Sequence, residues 1–242
     1  MLGTLYGIGV GPGDPDLLTL KAVKVLGRVA HVFAAASSKN DYSFARDIVR
    51  DHLPADTPVD HLAFPMTFNP DSLENAWVAN CEQVVEILAQ GKDVAFITIG
   101  DPLTFSTFIY LMRKVRDRLP GLKVSIIPGI TSFQAAAACA VVPLGEGEES
   151  ITVISGAKGG NRLRDVVEVS DNVVLMKTYK QFPQILSEIE DAGLKDRCCF
   201  ISRCGLDGEI VERDFSKLQE LKQPHYLSLM IIKKRGLEPN GK

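Results

Sequence analysis

The sequence has no C-x-x-C pair, no His or Cys set at metal-ligand spacing and no long apolar run. Each absence removes a class of function. Cys81, Cys139, Cys198, Cys199 and Cys204 are an odd set without paired spacing. They read as reduced, mostly buried thiols rather than a disulfide framework or a metal site. His31, His52, His61 and His225 are scattered, and no protein-bound metal is expected. No apolar stretch approaches the roughly 18 residues that span a bilayer. The opening MLGTLYGIGVGPGD lacks the basic start of a secretory signal, so a cytoplasmic location is expected. Positive charge is also scarce: 27 Lys and Arg against 30 Asp and Glu give a formal net charge of −3. Such a chain does not attract nucleic acid as a whole, and an anionic substrate would need basic residues gathered locally.

What remains is an ordinary globular composition, 45% hydrophobic and 24% charged over 242 residues. That is enough for one large or two small domains with a sizeable core. The pattern centres on KDVAFITIGDPLTFS at 92–106. Residues 94–99 form an apolar, β-branched run of the length of a strand buried on both faces. Gly100-Asp101-Pro102 stops it, because Pro102 cannot donate to a sheet and pushes Asp101 out of the helical region. Gly100 has no Cβ and lets a ligand approach the backbone. Thr104 or Ser106 then caps a helix over 105–118. A carboxylate at the carboxyl end of a central strand is where open α/β sheets bind ligands, although the same residues also describe an ordinary strand-to-helix turn.

Elsewhere in the first half, strands are expected at 5–10, 29–34, 60–64 and 122–127. Helices are expected from Asp16, over 43–52, after a Ser72 cap, and over 133–140, with a loop at 37–42. The glycines after the first strand do not make a dinucleotide site. A G-x-G-x-x-G frame begun at Gly7 or Gly9 puts Pro12 or Asp14 at the third glycine, and no Gly-Lys-Ser/Thr follows. Asp14 and Asp16 would repel a diphosphate, and FAAASS at 33–38 offers no acid for a ribose. The composition shifts at Pro143-Leu144-Gly145-Glu146-Gly147-Glu148-Glu149, a flexible acidic hinge that divides domain 1–143 from domain 144–242. Beyond it, strands at 151–155, 172–178, 197–202, 209–212 and 226–233 alternate with helices at 163–169, 181–191 and 215–221. The tail from 236 is expected to be disordered. The fold class is α/β: two α/β domains with mostly parallel sheets.

Four segments in order resemble the tetrapyrrole methylases: GVGPGDPDLLT at 9–19, GDPLTFST at 100–107, PGITSFQAAAA at 128–138 and VLMK at 174–177. The resemblance covers the whole chain and implies the class III fold of S-adenosylmethionine-dependent methyltransferases. FPMT at 64–67, STFIY at 106–110, TSF at 131–133 and PLGEGE at 143–148 are similar to one branch. That branch methylates carbon 20 of precorrin-2 or cobalt-factor II in cobalamin biosynthesis. Ile99 stands where many relatives have glycine, a position that would contribute backbone contacts. The alternatives are same-fold methylases acting on another tetrapyrrole position, on a protein as diphthine synthase does, or on RNA. The ribosomal RNA branch would carry more positive charge. A tetrapyrrole carrier without catalysis would have no need of the methyl-donor motifs.

By position, the resemblance implies S-adenosylmethionine folded in a cleft between the domains. Ile99, Gly100, Asp101, Thr104, Thr131 and Ser132 would touch it from the first motifs, and Met176, Lys177, Arg203, Cys204 and Ser228 from the later ones. Core packing is the more frequent role for a Met such as Met176, and Thr131-Ser132 can also serve as the N-cap of the following helix. Gly11, Pro12, Gly13 and Asp14 would line a substrate trough. Lys158 and Arg162 would form a basic rim together with Arg164, Lys177, Lys180, Arg113 and Arg116. Asp101 would orient the cofactor, and Tyr110 or a carboxylate of the trough would act as the base. A homodimer is also implied.

Overall fold

The computed structural model describes residues 1–37, 43–64, 70–221 and 223–237. Residues 38–42 of the expected 37–42 loop, the Pro65-Met66-Thr67 motif and the tail from 238 lie outside these described parts. Ser72, the expected helix cap, instead falls inside a helix that already begins at Pro70. Contacts divide the chain into two compact units, Met1–Thr131 and Ser132–Lys242.

In the first unit, β1 (Leu5–Gly9), β2 (His31–Ser37), β3 (Val59–Phe64), β4 (Val94–Thr98) and β5 (Val124–Ile127) lie in the order β3-β2-β4-β1-β5. Every pairing is parallel. Helices α1 (Leu20–Leu26) and α2 (Phe44–Val49) cover one face, packing on Tyr6, Ile8, Val32 and Ile97. Helices α3 (Pro70–Ala89) and α4 (Phe108–Arg118) cover the other, on Leu5, Phe33 and Phe96. The neighbours β1 and β4 thus feed helices on opposite faces, which opens a crevice at their carboxyl ends.

Local hydroxyls set two helix starts later than the sequence predicts. Thr19 Oγ1 accepts from the Ala22 N–H at 3.2 Å, so α1 starts at Leu20 rather than at Asp16. Ser106 Oγ accepts from the Phe108 N–H at 3.2 Å just ahead of α4, whose N-cap residue is Thr107, while Thr104 bonds elsewhere.

The second unit holds α5 (Ser132–Ala140), β6 (Ile151–Ser155), α6 (Leu163–Val169), β7 (Asn172–Met176), α7 (Phe182–Asp191), β8 (Cys198–Ser202), β9 (Ile210–Glu212), α8 (Phe215–Glu220) and β10 (Ser228–Lys233). Its sheet runs β6-β7-β10-β8-β9. Only β6 and β7 pair in parallel; the other neighbours are antiparallel. The expectation of mostly parallel pairing therefore holds for the first sheet and not for the second. The loop 203–209 between β8 and β9 is too short for the dozen or more residues a parallel crossover needs. After α8 the chain inserts β10 between β7 and β8, running against both.

The division at Thr131 precedes the one expected at 143, and α5 is the reason. Its Ala136, Ala137 and Ala140 lie close on Cys199, Ile201, Leu229 and Ile231, on the face of the second sheet opposite α6, α7 and α8. The segment read as a flexible acidic hinge is likewise fastened to this unit. The Lys233 side chain, only 3% exposed, donates to Pro143 O at 2.9 Å and lies 3.5 Å from Glu149 and 3.7 Å from Glu146. Asn172, opposite Lys233 in the β7–β10 pairing, donates to Glu149 Oε2 at 2.9 Å and holds that carboxyl below its usual range, with the Lys233 charge adding to the effect. Lys233→Met is expected to lower stability by about 1.5–3 kcal/mol, the contribution of hydrogen bonds to a charged group. Urea unfolding measures it, and an unchanged midpoint would show that the segment is not anchored there.

Candidate active site

Three strand ends of the first unit meet backbone to backbone. Gly100 N–H donates to Gly11 O at 2.7 Å, and the two residues form an isolated antiparallel bridge. This ties the loop after β1 to the turn after β4. A Cβ on Gly9 would lie 2.4 Å from Gly100 O, and one on Gly129 only 2.1 Å from the same oxygen. Real Cβ contacts do not come that close, so these positions admit only glycine.

Asp101 braces the junction. Its Oδ1 accepts from Leu103 N–H at 2.9 Å and from Thr104 Oγ1 at 3.3 Å, and its Oδ2 accepts from Gly129 N–H at 3.3 Å. An ionised carboxylate offers about four acceptor positions, so little remains for a ligand. Asp101 and Thr104 are thus brought together with Gly129, and both side chains act first on the loop itself. Ile99 is half-buried against the α1–α2 core. Gly11, Pro12 and Gly13 are buried, and Asp14 caps the 3-10 turn Pro15–Leu17 by accepting from Asp16 N–H at 2.9 Å. Tyr110 belongs to a separate group: its ring packs 5.7 Å from Trp77, which lies 4.6 Å from Phe64. Tyr110, Leu103 and Phe105, which follow the Asp101 turn in sequence, are 57%, 51% and 47% exposed.

In the second unit a matching set gathers at one end of the sheet. The ends of β7 and β8 adjoin the start of β10, with Met176 opposite Leu229 and Ser202 opposite Ser228. Buried Thr178 and Ser228 share a hydroxyl bond of 2.9 Å, and Ser132 Oγ lies 4.0 Å from Met176 Sδ. Lys177 and Arg203, each following a strand, adopt φ of 59° and 56°. Non-glycine residues held in this region cost of order 1–3 kcal/mol and cluster at functional sites. Among the described residues, Ser202 Oγ and Arg203 Nε are buried without a hydrogen-bond partner. Burial, and then the Arg203 guanidinium, lower the pKa of His225. Burial raises the pKa of Tyr226, whose ring meets Tyr179 at 5.2 Å.

Gly156 N–H donates to Met176 O at 2.6 Å, so the loop bearing exposed Lys158 and Arg162 leaves from the same end of the sheet. Arg164 does not join a rim: its guanidinium pairs with Glu188 at 3.1 Å and Asp191 at 2.8 Å. Cys204 follows Arg203, but its thiol turns toward Cys139 and Glu209.

The family model of the tetrapyrrole (corrin/porphyrin) methylases matches residues 4–221. The chain belongs to this family. The cobalt-precorrin-2 C(20)-methyltransferase of Salmonella typhimurium is 34% identical over 97% of this chain and 98% of its own length. The precorrin-2 C(20)-methyltransferase of a Sinorhizobium species is 33% identical over 96% of this chain and 95% of its own. Among solved structures, a uroporphyrin-III C-methyl transferase from Thermus thermophilus, complexed with S-adenyl homocysteine, aligns with a TM-score of 0.70. It shares 20% identity over 96% of this chain and 92% of that one, a likeness of fold. A cobalt precorrin-4 methyltransferase aligns with the same score at 21% identity, over 98% of this chain and 96% of its own.

Tetrapyrrole methylases use S-adenosylmethionine, a ligand with an amino acid end and a nucleoside end. The unpartnered Ser202 hydroxyl and Arg203 Nε suit such a polar ligand. The side-chain-free junction at Gly9, Gly100 and Gly129 suits close approach to main chain. The sequence reading missed Ser202, His225 and Tyr226. The readable signal was position: Ser202 ends a strand just before Arg203, and His225 and Tyr226 lie within three residues of the start of β10.

Proposed function

We propose that this methylase transfers a methyl group from S-adenosylmethionine to carbon 20 of precorrin-2 or its cobalt form, cobalt-factor II, in cobalamin biosynthesis. The observation that carries the reading is the near full-length identity of 34% to the Salmonella typhimurium C(20)-methyltransferase. When bound, S-adenosylmethionine supplies a methyl group on a positive sulfonium, already a good electrophile. The protein's task is then mainly positioning, which contributes up to roughly 7–11 kcal/mol in favourable cases. Gly100 and Thr131 would present main chain to the donor, while Asp101 holds their loops in place. Met176, Lys177, Arg203 and Ser228 are the donor's other proposed contacts. Exposed Leu103, Phe105 and Tyr110 offer apolar surface to a flat macrocycle. A proton must leave carbon 20, a task for a weak base, for which a carboxylate of the substrate trough or Tyr110 as its phenolate is proposed. The enzyme is expected to be cytoplasmic and homodimeric and to have no nucleic acid partner. Among the described residues no helix is long and apolar enough to cross a membrane.

The substrate carries carboxylates around its rim, whereas the chain has a net charge of −3. Lys158, Arg162 and Lys177 are the proposed local basic contacts. Incubation with S-adenosylmethionine and either metal-free or cobalt-loaded substrate is expected to add a single methyl, at carbon 20. Methylation at another carbon, or of protein or RNA only, would refute the reading. Tetrapyrrole affinity is expected to fall with added salt, because exposed charges are screened over about 8 Å at physiological ionic strength. The affinity for S-adenosylmethionine should change much less. Equal salt slopes would show that apolar burial alone holds the ring.

A further inference from the structure

Outside this machinery, the fold assembles a ligand set that linear spacing hid. Cys139 lies in the last turn of α5, Cys204 follows β8 and Glu209 precedes β9. One ligand atom from each lies within 4.8 Å of the other two. Hydrogen bonds hold the frame. Arg213 donates to Ala140 O at 2.7 Å at the end of α5. In the loop, Leu206 N–H donates to Arg203 O at 2.9 Å and Glu209 N–H to Leu206 O at 3.1 Å. Gly205 N–H donates to Glu209 Oε2 at 2.8 Å, which fixes the carboxylate. Gly205 and Gly208, at φ of 72° and 78°, supply the tight turns.

We propose that Cys139, Cys204 and Glu209 form a binding site for a thiophilic divalent cation, with zinc the best match. Two thiolates and a carboxylate are a donor set that zinc accepts, and soft sulfur ligands disfavour magnesium and calcium. A tetrahedron with Zn–S of about 2.3 Å and Zn–O of about 2.0–2.2 Å has edges of roughly 3.5–3.8 Å. The observed grouping, within 4.8 Å, closes onto those edges by a contraction of at most about 1.3 Å. Glu209 is exposed, so water reaches the fourth vertex. Burial, with the neighbouring Glu209 and Cys204, pushes the Cys139 thiol up to about 12, and burial also raises Cys204. Zinc binds the thiolate form of cysteine, so the ion displaces a proton from each thiol on binding. This site is independent of the methyl-transfer reading.

The test uses the full chain, reduced with a non-thiol reductant and stripped of metal, titrated with Co²⁺ and with Zn²⁺ against a chromophoric chelator. One equivalent is expected to bind, with a thiolate-to-cobalt charge-transfer band that Zn²⁺ abolishes. Cys139→Ser and Cys204→Ser should each weaken Zn²⁺ at least about tenfold, the lower range for disturbing a metal site. Glu209→Gln, on the exposed loop, should weaken it while leaving the melting temperature of the metal-free protein unchanged. Cys81→Ser, in the first unit, should leave affinity unchanged. The cobalt spectrum is read on the wild type, so a variant that fails to fold does not decide the matter. Absence of a stoichiometric band in reduced wild type, or a band that survives both serine variants, would overturn the site.

Discussion

Gly129→Ala is expected to destabilise the protein by about 3 kcal/mol or more and to abolish S-adenosylmethionine binding, although it removes no side chain. The added methyl would sit 2.1 Å from Gly100 O and 2.7 Å from Gly9 C. Both are main-chain atoms at the ends of β4 and β1, so no flexible side chain can move aside. The strand ends have to separate, and Gly129 N–H loses its bond to Asp101. Gly27→Ala serves as the comparison. Gly27 ends α1 at φ −70°, and its nearest Cβ neighbour would be 3.6 Å away. That change is expected to stabilise slightly, by about 0.4–1 kcal/mol, through the unfolded chain. Urea midpoints and calorimetric titration with S-adenosylmethionine read out both variants. A Gly129→Ala protein with the wild-type midpoint would show that the three strand ends do not converge as described.

Asp101→Ala should weaken S-adenosylmethionine by about tenfold or more. Three donors lose a charged acceptor, and each such bond contributes about 1.5–3 kcal/mol, where 1.4 kcal/mol corresponds to tenfold. The loss acts by releasing the turn from Gly129, so Asp101→Asn separates the two halves of the brace. Its amide oxygen can still accept from Leu103 N–H, but its NH₂ would then face the Gly129 N–H, donor against donor. The Asn variant is therefore expected to keep most of its stability and still bind the cofactor poorly. Wild-type affinity in the Ala variant would remove Asp101 from the support of the site. Wild-type affinity in the Asn variant alone would show that the Gly129 bond is immaterial.

Much of the molecule was legible because its signals are local. The strands at 151–155 and the helix at 163–169 fall where periodicity put them, and Gly100-Asp101-Pro102 does end the central strand. The role of Asp101 was not legible, since its partner Gly129 lies 28 positions away and nothing in either segment names the other. Strand direction was equally hidden: β10 runs against β7 and β8, and a buried apolar run reads the same either way. The acidic stretch at 143–149 looked mobile because its tether, Lys233, comes from the last strand. Cys139 and Cys204 looked unrelated for the same reason.

The alanine helix α5 also decides where the chain can be cut. A fragment begun at residue 144 would carry the complete second sheet yet leave Cys199, Ile201, Leu229 and Ile231 bare, a continuous apolar strip facing water. Such a fragment would self-associate instead of staying dispersed. Begun at Ser132, the same piece brings its own cover. Sequence composition and ownership of surface differ here by one helix, and a gene fusion or half-protein exchange that follows composition would sever a core.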